Sequence, residues 1–526
     1  MQRDHVLAID AGTGSCRAVL FDRDGRQVAV SQREWSHPPA LLRKTGAPAP
    51  GSQVFETAPN WSLIALCVRE AIASSGLAPE RIAAVSSASM REGIVLYDED
   101  GAELWACPNV DSRAGAEAAE LIEGGLAAEI YATAGDWVAI TSAPRLLWLQ
   151  RHEPEIVART AHLTMLGDWI LYRLSGQYVT DPSLGSSSGL FDLAARAWSE
   201  RLLRICGLSP AVCPPVREPG SVIGGVTRQA ARETGLVEGT PVVVGGADTQ
   251  LGLVGIGVTT PGRCSVIGGT FWQQTIVLDT PLIDPQGRLR TLCHTLPGQW
   301  MMEGLGFYSG LAMRWLRDAF CELEKERAAA RGVDPYVLME EAAAQAPPGA
   351  NGVVGVFSNV MVARHWVHAA PAFMQFDVTD PYHSGRKECI RALEESAAYV
   401  SRSHVETIRA LSGLEFDEVI FTGGAAKGSL WPQILADVLG VRVRVPVVKE
   451  STALGAGVYA RLGAGLDDSL ESVLERVVRF ERTYEPDPST HAQYRALHQR
   501  WAEVYARSLA FVQDGLLNPL WQAVGT

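Results

Sequence analysis

Long apolar runs, paired cysteines and an excess of positive charge are all missing from this 526-residue chain. No stretch of about 18 apolar residues occurs, so no segment reads as a membrane-spanning helix. The nine cysteines (Cys16, Cys67, Cys107, Cys206, Cys213, Cys264, Cys293, Cys321 and Cys389) are odd in number and far apart, and none stands in Cys-x-x-Cys spacing. That pattern excludes the usual zinc and dithiol sites and points to a reducing compartment. Lys and Arg total 46 against 59 Asp and Glu, a formal net charge of −13. Binding to nucleic acid rests on cationic neutralisation of phosphates, so a nucleic-acid partner is not expected and a small molecule is. Met1-Gln-Arg-Asp-His5 runs straight into strand-like Val6–Ile9 without an apolar signal core, so a cytoplasmic location with no membrane partner is expected. Three nucleotide motifs are also absent: Gly-x-x-x-x-Gly-Lys-[Ser/Thr], the protein-kinase catalytic loop, and a complete Gly-x-Gly-x-x-Gly after the first strand. P-loop and Rossmann chemistry are thereby disfavoured.

What is present is an ordinary globular composition, 47% hydrophobic and 20% charged, with 51 Gly and 29 Pro spread along the chain. At roughly 150 residues per domain the length suits two to four domains. Short apolar runs bounded by Gly or Asp alternate with helical patterns, the mark of an α/β protein. Strands are expected at Val6–Ile9, Ala18–Phe21, Ile94–Tyr97, Val242–Val244, Ser265–Ile267, Thr275–Leu278 and Val419–Phe421. Helices are expected at Trp61–Ala73, Gly310–Phe320, Leu430–Leu439, Lys387–Leu411 and in a C-terminal segment through Trp501. Asn60, Ser309 and Ser429 are the candidate N-caps of the first three. Asp22–Gly25 and Asp98–Gly101 lack the remaining ligands of a calcium loop and read as hairpin turns.

Ile9–Asp22 aligns without gaps on Val266–Asp279 at a constant offset of 257. Each copy reads strand, Gly-Thr turn, strand, and each would open one half of the chain, at 1–255 and 256–526. A Gly-Thr turn leaves backbone N–H groups unpaired and carries a hydroxyl, so it can wrap a phosphate. Two such turns facing a cleft could hold a polyphosphate from both sides. A third glycine-rich element, Phe421-Thr-Gly-Gly-Ala425, ends a strand and leads into a helix, a topology suited to holding a nucleotide against the backbone. Asp10 closes the first strand beside its turn, where a carboxylate among phosphates makes electrostatic sense when a divalent cation bridges them. Asp248 follows the strand Val242–Val244 and a Gly-Gly break, just before the junction of the halves. A carboxylate there can take the proton of an alcohol during phosphoryl transfer.

Asp10-Ala-Gly-Thr-Gly-Ser-Cys-Arg17, Gly246-Ala-Asp248, Gly269-Thr270, Gly423-Gly-Ala425 and Thr452-Ala-Leu-Gly455 together resemble the motif set of the FGGY carbohydrate kinases, over nearly the whole chain. The resemblance implies an α/β fold of two actin-like ATPase (ribonuclease H-like) domains. Residues 1–255 would carry the acceptor site and first phosphate turn, and 256–526 would bind ATP and end in a helical segment. ATP and Mg²⁺ would lie in the cleft. Carried over by position, Asp248 is the general base and Asp10, with Asp248, holds magnesium. Gly12, Thr13, Gly14, Ser15, Arg17, Gly269 and Thr270 surround the phosphates, and Gly310, Arg314, Gly423, Gly424 and Ser429 fall on the nucleoside side. Met90, Arg91 and Glu92 match the segment whose Arg-Glu pair grips acceptor hydroxyls through charge-assisted hydrogen bonds. Asn109-Val-Asp111-Ser-Arg113 departs from the family's Trp-x-Asp-x-Arg, so the apolar wall behind a sugar becomes polar. Trp272 and Gln273 could form the opposing wall, although a Trp beside a Gly-Gly turn is equally at home in a core.

Longer strings, among them Ser89-Met-Arg-Glu-Gly-Ile-Val-Leu-Tyr97 and Ile267-Gly-Gly-Thr-Phe-Trp-Gln-Gln274, are similar to one branch of that family. They imply a small signal molecule as acceptor, linear (4S)-4,5-dihydroxypentane-2,3-dione phosphorylated at its terminal hydroxyl. A homodimer is compatible with the sequence, which names no protein regulator. Three other readings stay open: a kinase for another small sugar or polyol such as erythritol, xylulose or glycerol, a catalytically silent sugar-binding regulator, and an actin-like filament. The paired Asp10 and Asp248 and both Thr turns argue against the silent regulator.

Overall fold

A computed structural model describes residues 3–41, 46–362, 365–380 and 382–526. Two mixed β-sheets form its frame. The first contains β1 (His5–Ala11), β2 (Ser15–Phe21), β3 (Gln27–Glu34), β4 (Ile82–Ser89), β5 (Val222–Gly225) and β6 (Pro241–Ala247), in the order β5-β6-β4-β1-β2-β3. The second contains β7 (Cys264–Gly268), β8 (Trp272–Leu278), β9 (Arg290–Cys293), β10 (Trp300–Gly306), β11 (Glu418–Thr422), β12 (Arg442–Pro446) and β13 (Phe480–Tyr484), in the order β9-β10-β8-β7-β11-β12-β13. Apart from β9 the pairings match one for one. An antiparallel β1–β2–β3 meander corresponds to β7–β8–β10, parallel β1–β4–β6 to β7–β11–β12, and antiparallel edge strand β5 to β13. Central β1 and β4 are buried along their length because layers cover both faces, while edge strand β3 alternates buried and exposed residues.

The repeat seen in the sequence therefore covers a whole sheet topology. Its hydrogen-bond register differs by one residue: Asp10 lies opposite Arg17, but Ile267 lies opposite Gln273. A one-residue slip changes which side chains share a face, so the gapless alignment locates the strands but not their cross-strand partners.

The helices used below are α1 (Thr57–Ser75), α2 (Pro182–Ser187), α3 (Asp248–Gly255), α4 (Ser309–Phe320), α5 (Pro335–Ala343), α6 (Arg386–Ser412), α7 (Leu430–Leu439), α8 (Ser451–Gly463) and α9 (Pro488–Gln513). All seven expected strands and five expected helices are present, with ends shifted by a few residues. The capping assignments do not hold. Asn60 lies buried inside α1, which starts at Thr57 with Pro59 in its first turn. Ser309 is the first residue of α4 rather than its cap, and its hydroxyl meets that of Ser358 at 2.8 Å. Ser429 occupies the cap position of α7 without a side-chain bond; the Leu430 N–H instead donates to Glu340 of α5 at 2.6 Å. Both suspected calcium loops are hairpin turns, Asp22 and Asp98 accepting from the N–H groups two residues on.

The two sheets exchange helices. Leu253 of α3 and Ile256 just past its end, on the connection leaving the first sheet, pack against Val277, Met301 and Ile420 of the second. Leu454 and Val458 of α8, which follows the second sheet's β12, pack against Val6, Phe21, Ala84 and Val243 of the first. Where α3 and α8 cross, a Cβ on Gly455 would collide with the Leu251 carbonyl oxygen, so only glycine allows this approach. The crossing brings Asp248, at the start of α3, beside the loop entering α8: the Thr452 hydroxyl donates to the Asp248 carbonyl at 3.1 Å.

Candidate active site

Hairpin β1–β2 turns through Gly12–Ser15, closed by the Gly12 N–H donating to the Ser15 carbonyl at 2.9 Å. Trp35 Nε1 donates to the carbonyls of Gly12 and Thr13, each at 3.1 Å, and His37 Nε2 lies 2.8 Å from the Thr13 carbonyl. Burial lowers the His37 pKa, and a carbonyl partner requires the proton on Nε2. Trp35 and His37 thus hold the carbonyl side of the turn. The Thr13 hydroxyl donates to Asn109 Oδ1 at 3.2 Å, linking the phosphate turn to an expected acceptor residue.

Asp10 faces Arg17 across the hairpin, Nε to carboxylate 3.4 Å, and Arg17 also pairs with Glu450 just ahead of α8. Burial raises the Asp10 pKa to about 7; Arg17 opposes the rise, and the charges of Asp248 and Glu450 add to it. Asp248 feels the same conflict. Burial raises its pKa, Arg91 and the Thr249 N–H oppose, and Glu92 and Glu303 reinforce. Its Oδ1 accepts from the Thr249 N–H at 2.7 Å. Among the described residues no group of three or more His, Cys, Asp or Glu is arranged to hold a metal. A buried and a half-buried carboxylate, both disfavoured in their charged form, fit a hard cation that arrives with phosphates, since Mg²⁺ takes one or two protein carboxylates and completes its shell with phosphate and water.

The strand leading to Asp248 is anchored from α2. The Ala247 N–H donates to the Ser183 hydroxyl at 2.9 Å, and that hydroxyl donates to Asp181 at 2.5 Å. Beside it, a Cβ on Gly245 would collide with the Ser87 carbonyl.

Arg91 and Glu92 follow β4 and are both buried. Glu92 has a left-handed backbone, φ 62°, a strained state for a residue with a side chain. Its surroundings over-determine it. The Glu92 N–H donates to the Ser187 hydroxyl at 3.1 Å, and its carbonyl accepts from Ser142 at 2.8 Å and Arg145 at 2.9 Å. Its carboxylate pairs with Arg290 at 2.7 Å, and Arg290 also pairs with Asp136. The Arg91 guanidinium is bidentate on Glu303, at 2.5 and 3.1 Å. Burial works against the Arg91 charge, yet Glu303 and Glu92 keep it protonated; burial alone would raise Glu303, and Arg91 and Arg290 outweigh it and lower its pKa. Burial lifts Asp136 to about 6 against the pull of Arg290.

Gln273 joins this cluster, its amide 3.5 Å from the Thr249 hydroxyl. Trp272 does not. Alternation along β8 turns it to the opposite face, fully buried with Phe421 and Trp431 at ring distances of 5.5 and 5.2 Å. The expected wall role is corrected to core packing. Met90 is likewise fully buried in the apolar core of the first sheet and presents no surface to the cleft. The Asp111 carboxylate is spent on Arg113 at 2.7 Å, whose guanidinium lies over Trp148 at 4.9 Å, so Asp111 shapes the loop instead of facing a ligand. Asn109 stays half-exposed.

Behind the second turn lies a cavity of about 440 Å³ bordered by Gly269, Thr270, Gly310, Arg314 and Gly424. Gly423 and Ser429 flank it without lining it. Tyr336, Met339 and Trp431 complete its walls. None of these three stands in a motif, and only the start of α5 at Asp334-Pro335 was readable as a helix signal. The buried partners Glu303, Arg290, Asp136 and Arg145 were also missed, because isolated charges carry no spacing signal.

Models of the FGGY carbohydrate kinases match this chain along most of its length, the N-terminal domain at residues 5–255 and the C-terminal domain at 265–464. The chain belongs to the FGGY family of carbohydrate kinases. This FGGY kinase is a two-domain α/β protein of the actin-like ATPase type, and its family's reaction is phosphoryl transfer to an alcohol. It is 46% identical over 525 residues to the autoinducer-2 kinases of Yersinia enterocolitica serotype O:8 and Escherichia coli K12, covering 99% of this chain and 98% of each relative. Among solved structures, xylulose kinase from Rhodospirillum rubrum superposes with a TM-score of 0.85 at 26% identity, covering 96% of this FGGY kinase and 99% of that chain. Plasmodium falciparum glycerol kinase with ADP gives 0.81 at 20% identity, covering 96% and 98%, and shares the fold. No helix among the described residues of this FGGY kinase is long and apolar enough to cross a membrane.

Proposed function

We propose that this FGGY kinase transfers the γ-phosphoryl group of ATP to the terminal hydroxyl of linear 4,5-dihydroxypentane-2,3-dione, the open form of autoinducer-2. The observation that carries the substrate is the 46% identity, over essentially the full length, to proteins named autoinducer-2 kinase. Residues 1–255 would present the acceptor and the first phosphate turn, and 256–526 would hold the nucleotide. Gly12, Thr13, Gly14, Ser15 and Arg17 would face the phosphates from one side and Gly269 and Thr270 from the other. The cavity by Gly310, Arg314 and Gly424 would take the nucleoside, with Gly423 and Ser429 at its rim. Arg91, Glu92, Asn109 and Gln273 would hold the acceptor.

Asp248 would accept the hydroxyl proton as that oxygen attacks the γ-phosphorus in line and the ADP oxygen leaves. Its burial favours the protonated form, which places a carboxylate nearer the pKa useful to a general base. Arg17 would stabilise charge on the transferring group, and closure of the halves would exclude water. Mg²⁺, held through Asp10 and Asp248, would supply neutralisation of phosphate charge. Transfer adds about two negative charges, so the product is retained behind a membrane. That suits a cytoplasmic enzyme that traps its signal.

The experiment is ADP release from Mg²⁺–ATP with the dione, xylulose, erythritol or glycerol as acceptor. Preference for the dione is expected, and preference for a polyol would overturn the substrate while leaving the family reaction intact. Asp248→Ala should lower kcat by about 10² to 10⁴ with the ATP KM little changed. A variant keeping more than about a tenth of wild-type turnover would remove Asp248 from the base role.

A further inference from the structure

Arg91 is the residue expected to grip the acceptor, yet its orientation comes from the other half of the chain. Glu303 sits on β10 of the second sheet, 212 residues away, and takes two of the five guanidinium N–H groups in a bidentate pair. Both side chains are buried, Glu303 completely and Arg91 to 7% exposure. A buried ion pair adds little net stability over an apolar pair of the same size, so its effect on geometry is the larger one. Cross-strand neighbours place Glu303 opposite Thr275 on β8 and Arg290 on β9. Gln273, two residues before Thr275, shares that face, and its side chain helps lower the Glu303 pKa. One carboxylate therefore collects Arg91 from the first half and Gln273 from the second, beside the Arg290–Glu92 pair. The N–H groups of Arg91 not used by Glu303, with the Gln273 amide at 3.5 Å from the Thr249 hydroxyl, form a set of donors next to Asp248, whose charge interacts with Arg91.

We propose that Glu303 is a positioning residue for the acceptor: it aims Arg91 and Gln273 at the oxygens of a short, oxygen-rich chain such as a vicinal dione or its hydrate. Because Glu303 and Arg91 belong to different halves of the chain, the donor set is complete only when the two halves are in register. Acceptor binding is thereby tied to their relative placement. The inference rests on the kinase reading above and deepens it.

The test compares wild type, Glu303→Gln, Arg91→Met and the double variant in the same ADP-release assay, with the dione and with D-xylulose as acceptors. Glu303→Gln should raise the acceptor KM about 10- to 100-fold, the size of effect that small misplacements of binding groups produce, and change the ATP KM less than about twofold. The double variant should cost clearly less than the product of the two single effects, because Glu303 acts through Arg91 and, beyond it, only through Gln273. Parallel rises in both KM values, or multiplication of the two single effects, would overturn the proposal. Glu303→Asp keeps the buried charge and covers the case in which the amide fails to fold. It should raise the acceptor KM at least about threefold with the thermal midpoint unchanged, and a wild-type KM would count against positioning. The effect of Glu303 is read from whichever acceptor the wild type uses, so failure of the dione sinks the substrate assignment alone.

Discussion

The two Gly-Thr hairpins share a topology and differ in chemistry. In the first, Asp10 and Arg17 sit opposite each other, and Glu450 and Asp248 complete a charged cluster. In the second, the aligned positions hold Ile267 and Gln274, and the turn opens onto a cavity walled by Tyr336, Met339 and Trp431. Gln274 points away from the turn into a buried bond with Ser401 at 3.0 Å. The two hairpins share a topology but not a register. The first is set among charged side chains, and the second opens onto a cavity whose walls mix Tyr336, Met339 and Trp431 with Arg314, Glu340 and Lys427.

The largest effect should come from making the first hairpin like the second. Asp10→Ile is expected to lower kcat with Mg²⁺–ATP by about 10²-fold or more, read by ADP release, since it removes a carboxylate that would hold Mg²⁺ against the phosphates. Equal activity in that variant would break the comparison.

A smaller and graded effect is expected at the hydroxyls. Thr270→Ala should reduce ADP release with saturating acceptor by about tenfold, as loss of one aligned group does. Unchanged turnover would mean that only the charged hairpin holds phosphate.

The faces of β8 give a third contrast. Gln273→Ala should raise the acceptor KM several-fold. Trp272→Phe should leave that KM alone and cost about 1–3 kcal/mol in urea unfolding, as loss of buried volume does. An acceptor KM that follows Trp272 would return it to the cleft wall.

The smallest effect concerns Asp181 behind the base strand. Burial raises its pKa to about 7, so the folded state retains a proton the unfolded chain has already lost. Stability then falls as pH rises from the ordinary carboxylate range through about 7. Asp181→Asn keeps the N-cap of α2 and should flatten the fall in thermal midpoint between about pH 5 and 7. A wild-type slope in the variant would assign the titration to another group.

Much of the frame was legible in the chain. The strands came from apolar runs bounded by Gly and Asp, and the repeat at Ile9 and Val266 exposed the doubled topology, because both depend on local pattern. The capping readings failed because helix ends depend on more than the local string: α1 begins three residues before Asn60, Ser309 lies inside α4, and the Leu430 N–H beyond Ser429 finds its partner in distant Glu340. Trp272 illustrates the limit within a strand. Alternation says that Trp272 and Gln273 face opposite ways, but only the packed sheet shows which face is core.

By itself the sequence determined the α/β class, the two Gly-Thr hairpins and the motif set with Asp10, Arg17 and Asp248, since each is written in contiguous residues whose backbone demands are local. Tertiary structure alone decided that α3 and α8 are exchanged between sheets, that Ser187 and Arg145 hold Glu92 in its strained backbone, and that Glu303 aims Arg91. These are pairings between groups far apart in the chain. Their energy comes from burying complementary groups together, and nothing in local spacing records which distant group will be the partner.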